Sequence, residues 1–221
     1  MFRTTIIIAA LLVSGLADAA IKRNFLDQKY PTQQAVEKQS ITNPLGASTT
    51  NIVNTDAAGT SGSAATISTF SAQPDVPRNL VITPGATTAD VGTCTVTVTG
   101  TDFYGQALTE EFSITANQST ATTGSKAFKT VTSVALPAAC EDSPYTAAWS
   151  IGSGEKLGLK YCLEKAGHIL FSTIDGAKEG TAPTMAANTS TVSSNTADFN
   201  GTMDGAADFE LFFFQNFRCH P

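Results

Sequence analysis

Residues 92–99 (GTCTVTVT) alternate strictly. Cys94, Val96 and Val98 fall on one face and Thr93, Thr95, Thr97 and Thr99 on the other, the period of a half-buried antiparallel strand. Residues 101–106 (TDFYGQ) supply a turn with Gly105 available for positive φ, and 108–115 (LTEEFSIT) return the chain, which predicts a hairpin. The same reading places strands at 79–83, 128–136, 147–151, 156–163, 168–174, 184–187 and 208–217. Pro74 and Pro77 fix an extended entry to the first of these, and Gly152-Ser153-Gly154 reads as a tight turn between two of them. Phe128, Val131 and Val134 are spaced by three, the mark of a bulge. In the last strand Phe209, Leu211 and Phe213 share one face and Phe212 and Phe214 the other, so both faces need cover. That strand is either central in a sheet or part of a subunit interface; Phe209, Leu211, Phe212, Phe213, Phe214 and Phe217 are the candidate interface residues.

Before residue 73 the pattern weakens. Residues 1–20 combine Arg3, an apolar run over 6–13 and the small-x-small site Ala17-Asp18-Ala19, which reads as a signal peptide; the alternatives are an apolar arm in a partner's groove or a short helix on its own domain. The run is shorter than the ~20 residues of a membrane span. Residues 21–45 are polar and interrupted by Pro31 and Pro44, and 46–72 are small and polar with isolated Ile52, Val53, Ile67 and Phe70, the pattern of a linker or of weak edge strands. The expected division is an arm and linker over 1–72 and a β-domain over 73–221, all-β in class: an antiparallel β-sandwich, jelly-roll or immunoglobulin-like, with an extended N-terminal arm.

Composition agrees with strands. Of 221 residues 33 are Thr, 18 Ser and 17 Gly, while only 14% are charged, so a neutral polar coat covers the surface. A net charge of -6 leaves no electrostatic footprint for nucleic acid. Cys94, Cys140, Cys162 and Cys219 have no CxxC spacing and are expected as free thiols, a bridge from Cys140 to Cys162 or Cys219 being the alternative. His168 and His220 lack metal-ligand spacing, and no nucleophile elbow or phosphate loop occurs, so no catalytic, cofactor or metal residue is assigned. Asp198, Asp204 and Asp208 recur without an EF-hand pattern. Glu110-Glu111 and Glu141-Asp142 are neighbours that point to opposite faces of a strand, so they read as solvated charges rather than an acid and base pair. Glu110 interrupts an apolar stripe, which predicts a bulge or strand end that turns its carboxylate to solvent. Trp149 reads as a core or rim anchor.

The order QPDVPRNL (73–80), VTVTGTDFYG (96–105), TEEF (109–112), TGSKAFKTV (123–131) and GSGEKLGL (152–159), with EGTAPT (179–184) and NTADFN (195–200), resembles a family of tailed-bacteriophage virion proteins: capsid decoration (cement) proteins and related minor structural proteins. The resemblance covers residues 73–221 and consists of fold motifs. It implies a non-enzymatic role with no cofactor, the major capsid protein and sister copies in a homotrimer as partners, and a place on the outer capsid surface. There an arm would bury Phe2, Ile6, Ile7, Ile8, Leu11, Leu12, Phe25, Leu26 and Tyr30 on capsid subunits, and deleting residues 1–45 would leave a folded domain unable to bind shells. The competing reading is an exported or tail-borne adhesion module that binds a cell-surface glycan or receptor through loops 102–106 and 137–146.

Overall fold

The computed structural model describes residues 36–56, 62–85, 90–141 and 147–214, and the chain divides into compact units at Gln33/Gln34. Every described strand belongs to the second unit. In chain order they are β1 (Val36–Ile41), β2 (Ser48–Asp56), β3 (Ala65–Ile67), β4 (Arg78–Pro84), β5 (Cys94–Thr101), β6 (Ala107–Ile114), β7 (Thr122–Thr123), β8 (Thr130–Leu136), β9 (Trp149–Gly158), β10 (Ile169–Ile174), β11 (Ala177–Lys178), β12 (Thr184–Ala186), β13 (Thr196–Asp198) and β14 (Phe209–Phe214). Short 3-10 turns lie at Ala138–Cys140 and Val192–Ser194, and no α-helix occurs among the described residues.

The fold is an all-β antiparallel sandwich. A central sheet runs β12-β13-β9-β4-β7, with β2 added to β9; a second runs β3-β8-β5-β6 and a third β1-β14-β10-β11. The first and second sheets enclose a core of Ile52, Leu80, Ile82, Val96, Val98, Phe112, Phe128, Val134, Trp149 and Ile151. A second core joins the far end of β9 to the third sheet through Leu157, Leu159, Ala197, Phe199, Phe209, Leu211 and Phe213. β9 is the shared spine: Trp149 and Ile151 enter one core and Leu157 the other.

The β5–β6 hairpin follows the alternation read from the sequence. Its register runs from Cys94↔Ile114 to Thr101↔Ala107 without a shift, and Asp102 Oδ1 accepts from the Tyr104 and Gln106 amides at 2.9 Å in the turn. The register between β5 and β8 slips by one residue opposite Thr132, which explains the three-residue spacing of Val131 and Val134. Asp175 and Gly176, both at positive φ (50° and 76°), close the β10–β11 hairpin.

Several expectations are corrected. β1 forms where an arm was expected, and of the two readings of 46–72, linker or weak edge strands, the strands hold: the segment supplies β2 and β3. Ile52, Val53 and Ile67 are buried, and at about 1.5–3 kcal/mol for each large apolar side chain they recruit polar segments whose composition alone predicts no core. Gly152-Ser153-Gly154 is no turn: it lies mid-strand in β9, where a Cβ on Gly152 would meet the Ser48 carbonyl oxygen at 1.8 Å. The strand expected over 156–163 stops at Gly158. Cys94 is bonded to Cys140, Cys162 is disulfide-bonded as well, and no described cysteine is a free thiol. Alternation on β5 marks Cys94 as facing the core but carries no information about a partner 46 residues away.

Candidate functional site

Two of the segments that carry the resemblance, 73–80 and 152–159, meet where β4 pairs with β9. Asn79, fully buried, donates from Nδ2 to the Gly124 carbonyl (3.1 Å) and accepts the Lys156 amide at Oδ1 (2.9 Å). A Cβ on Gly154 would lie 2.5 Å from that Oδ1, so glycine is what admits the buried amide. Arg78 is fully buried beside it, donating to the Leu45 carbonyl (2.8 Å) and the Met203 sulfur (3.2 Å) and pairing with Asp75 at 3.2 Å. Burial pulls the guanidinium below its ordinary value, while Asp75 and Glu155 push it back. The Gly158 amide donates to the Pro77 carbonyl (2.7 Å), and Arg78 and Phe128 exchange backbone hydrogen bonds.

Glu110 lies in this network, contrary to the solvated bulge expected. It stays in register opposite Val98, is 7% exposed, and accepts from the Ser125 amide (2.6 Å), the Ser125 hydroxyl (2.9 Å) and the Lys126 amide (3.1 Å). The loop 124–126 brings donors to the carboxylate, so the charge is hydrogen-bonded inside rather than turned out. Glu141 is corrected likewise: it is buried and accepts from the Ala147 amide and from Trp149 Nε1 (3.3 Å), while Asp142 lies outside the described residues. Asn195 completes the set, its Oδ1 accepting the Leu163 and Asn188 amides at 2.8 Å each. Most of these side-chain contacts go to backbone groups, which is the chemistry of an anchor that fixes loops.

Two clefts accompany the junction. One of about 360 Å³ lies between β1 and the residues Val76, Pro77 and Phe103; the charged group in its lining, Lys160, is ion-paired with Glu37. The other, of about 210 Å³, is lined by Ala47, Glu155, Asn200, Thr202 and Met203, with one carboxylate among them. Among the described residues no group of three or more His, Cys, Asp or Glu is placed to hold a metal ion. The hairpin tip over 102–106 folds back on the chain, the Tyr104 hydroxyl donating to the Lys160 carbonyl. Burial first, with Tyr161, Asp102 and Glu37 nearby, raises the Tyr104 phenol above its ordinary value.

The closing strand is central in its sheet, between β1 and β10. Phe209, Leu211 and Phe213 are fully buried in the chain's own second core, so they are not available to another subunit; Phe212 and Phe214 remain on the outer face, and Phe217 lies outside the described residues. Phe2, Ile6, Ile7, Ile8, Leu11, Leu12, Phe25, Leu26 and Tyr30 lie outside them too.

Register composes the rest of that face. Val36 stands beside Phe214; Lys38, Phe212 and Phe171 form the next row; Ser40, Glu210, Thr173 and Lys178 the third. Phe212 and Phe171 stack at 4.3 Å between ring centroids, Lys38 Nζ sits 5.6 Å from the Phe212 centroid and Lys178 Nζ 5.9 Å from that of Phe171. Lys38 also pairs with Glu210 at 2.5 Å. The sequence reading missed Lys38, Phe171, Lys178 and Glu210: each strand shows its own alternation, but their meeting depends on strand pairing, across more than 170 positions in the case of Lys38 and Glu210.

No protein-family model, curated protein or solved structure matches the chain.

Proposed function

We propose that the chain is a non-enzymatic virion structural protein, a capsid decoration subunit that binds the outer surface of an assembled shell, with the major capsid protein and sister copies as partners. The observation that supports this reading is that two motifs of the virion-protein resemblance, 73–80 and 152–159, supply Arg78, Asn79, Gly154 and Gly158 to the buried β4–β9 pairing. They serve as a scaffold motif should, anchoring backbone, and the protein's work then falls to its surfaces and its N-terminal segment. Contacts made only with the assembled shell would stabilise it by mass action.

A specific observation favours the second reading, an exported or tail-borne adhesion module. All described cysteines are disulfide-bonded, and the sequence begins with a leader-like pattern. Disulfides persist in oxidising compartments and are rare in the cytosol.

Intact-mass and quantitative peptide mass spectrometry on purified native particles separates the two. A chain that retains residues 1–19 and is present at near-capsid abundance supports decoration. A chain that begins at Ala20, or a few copies per particle, overturns it in favour of the adhesion module. In a shell-binding assay, removing residues 1–33 should abolish binding while the unit from Gln34 stays folded; the wider deletion of 1–45 would also remove β1 and uncover Phe213.

A further inference from the structure

We infer that Cys162 is bonded to Cys219, a redox latch that fastens the C-terminal residues 215–221 to the segment 159–163. The inference goes beyond the proposed function and does not depend on it.

The partner follows by elimination. The chain has four cysteines. Cys94 and Cys140 are bonded to each other and Cys162 is disulfide-bonded, which leaves it Cys219, a residue outside the described ones. The described residues put the two within reach. The ring of Tyr161, the neighbour of Cys162, packs 6.4 Å from the ring of Phe213, and the Phe214 amide donates to the His168 carbonyl at 2.8 Å, so the end of β14 runs beside the segment that leaves Cys162. Cys219 follows Phe213 by six residues, a span of about 20 Å when extended.

Cys162 is a fixed point. It lies in a small apolar cluster with Val192, Phe103 and Tyr104, and its sulfur accepts from Asn195 Nδ2 at 3.3 Å while Asn195 Oδ1 holds the Leu163 amide at 2.8 Å. The end of β14 is the part that needs fixing. Its last pairs, Val36↔Phe214 and Ile169↔Phe213, lie where the register with β10 slips, and Val36 and Leu170 there are 53% and 45% exposed. An irregular ladder end with exposed apolar neighbours is where a sheet opens first. A bond five residues past Phe214 ties that end to the anchored 159–163 segment, as the Cys94–Cys140 bond ties β5 to the 138–140 turn.

The bond makes the latch conditional on its surroundings. The two thiols give up two protons and two electrons as the sulfur–sulfur bond forms, and thiol–disulfide exchange passes both to a disulfide oxidant such as oxidised glutathione, which leaves as two thiols. The tail is therefore free in a reducing cytosol and fastened in an oxidising compartment or on the outside of a particle.

Peptide mapping of the full wild-type chain, equilibrated with oxidised glutathione, then alkylated, denatured and digested unreduced, tests the pairing. Trypsin cuts after Lys160, Lys165 and Arg218, so the expected product is 161–165 joined to 219–221, distinct from the Cys94–Cys140 product, 79–126 joined to 130–156. An alkylated Cys219, a different partner for it, or a covalent dimer on an unreduced gel would overturn the pairing. Hydrogen exchange tests the latch. Cys219→Ser should speed exchange of the Phe214 and Leu163 amides on the order of tenfold while β5 and β8 keep their rates. Unchanged exchange at both amides would overturn the latching role. The map is made on wild-type protein, so it decides the pairing whatever the variant's stability, and neither measurement involves shells, so decoration is judged separately on particle composition.

Discussion

Breaking the Cys94–Cys140 bond by Cys94→Ala with Cys140→Ala should lower stability by about 4 kcal/mol. The bond closes a loop with a sequence separation of 46 between its ends. Chain entropy for that length, −2.1 − 1.5R ln n, comes to about −13.5 cal/mol/K, or ~4 kcal/mol at 25 °C. Native contacts already bring the two segments together: the Gly92 amide donates to the Cys140 carbonyl at 3.1 Å, and Val91 bridges Glu141. The pair therefore leaves the native contacts in place when cut and acts through the unfolded chain. For a domain of this size the change corresponds to a Tm lower by about 8–16 °C. Differential scanning calorimetry of the double variant against wild type reads it directly. A Tm within about 2 °C of wild type would refute the chain-entropy reasoning, and one reactive thiol pair in unreduced, denatured wild-type protein would refute the pairing itself.

Glu110→Ala leaves the Ser125 and Lys126 amides without their acceptor and should cost about 2–4 kcal/mol in urea unfolding, with faster amide exchange at those two positions; unchanged exchange would mean the loop is held by other contacts. Gly154→Ala drives a Cβ against Asn79 and should cost about 1–3 kcal/mol, whereas Gly167→Ala, which meets nothing within 4 Å, should be neutral; equal Tm values for the two would contradict the crowding at Asn79. The Lys38 ammonium, then the Thr173 hydroxyl, hold the Glu210 carboxyl below its ordinary value. A carboxylate whose folded value is depressed stabilises the fold above its unfolded pKa and loses that contribution as pH falls through the folded one. Carboxyl NMR titration should therefore show Glu210 titrating below an ordinary Glu and moving up in Lys38→Met; an unmoved titration would show that Lys38 is not the cause.

The hairpin of β5 and β6, the core faces of those strands and the all-β class follow from local rules. A half-buried strand must alternate, and neutral Thr-rich sequence with dispersed turn residues favours strands over helices. The candidate interface was half legible. The alternation of residues 209–214 separates Phe212 and Phe214 from Phe209, Leu211 and Phe213, but only the third sheet decides which face the chain keeps for itself. Gly152 and Gly154 carry the same composition signal in a turn and in a crowded strand; the nearness of Ser48 and Asn79, from distant segments, selects the strand. Glu110, Glu141 and the Cys94–Cys140 pair differ for the same reason. The donors that make a buried carboxylate tolerable, and the partner sulfur, arrive from segments up to 46 residues away. Sequence period thus decides which way a side chain points, because that is set within two residues; what it meets there is decided by tertiary structure, because long-range strand pairing brings the partner.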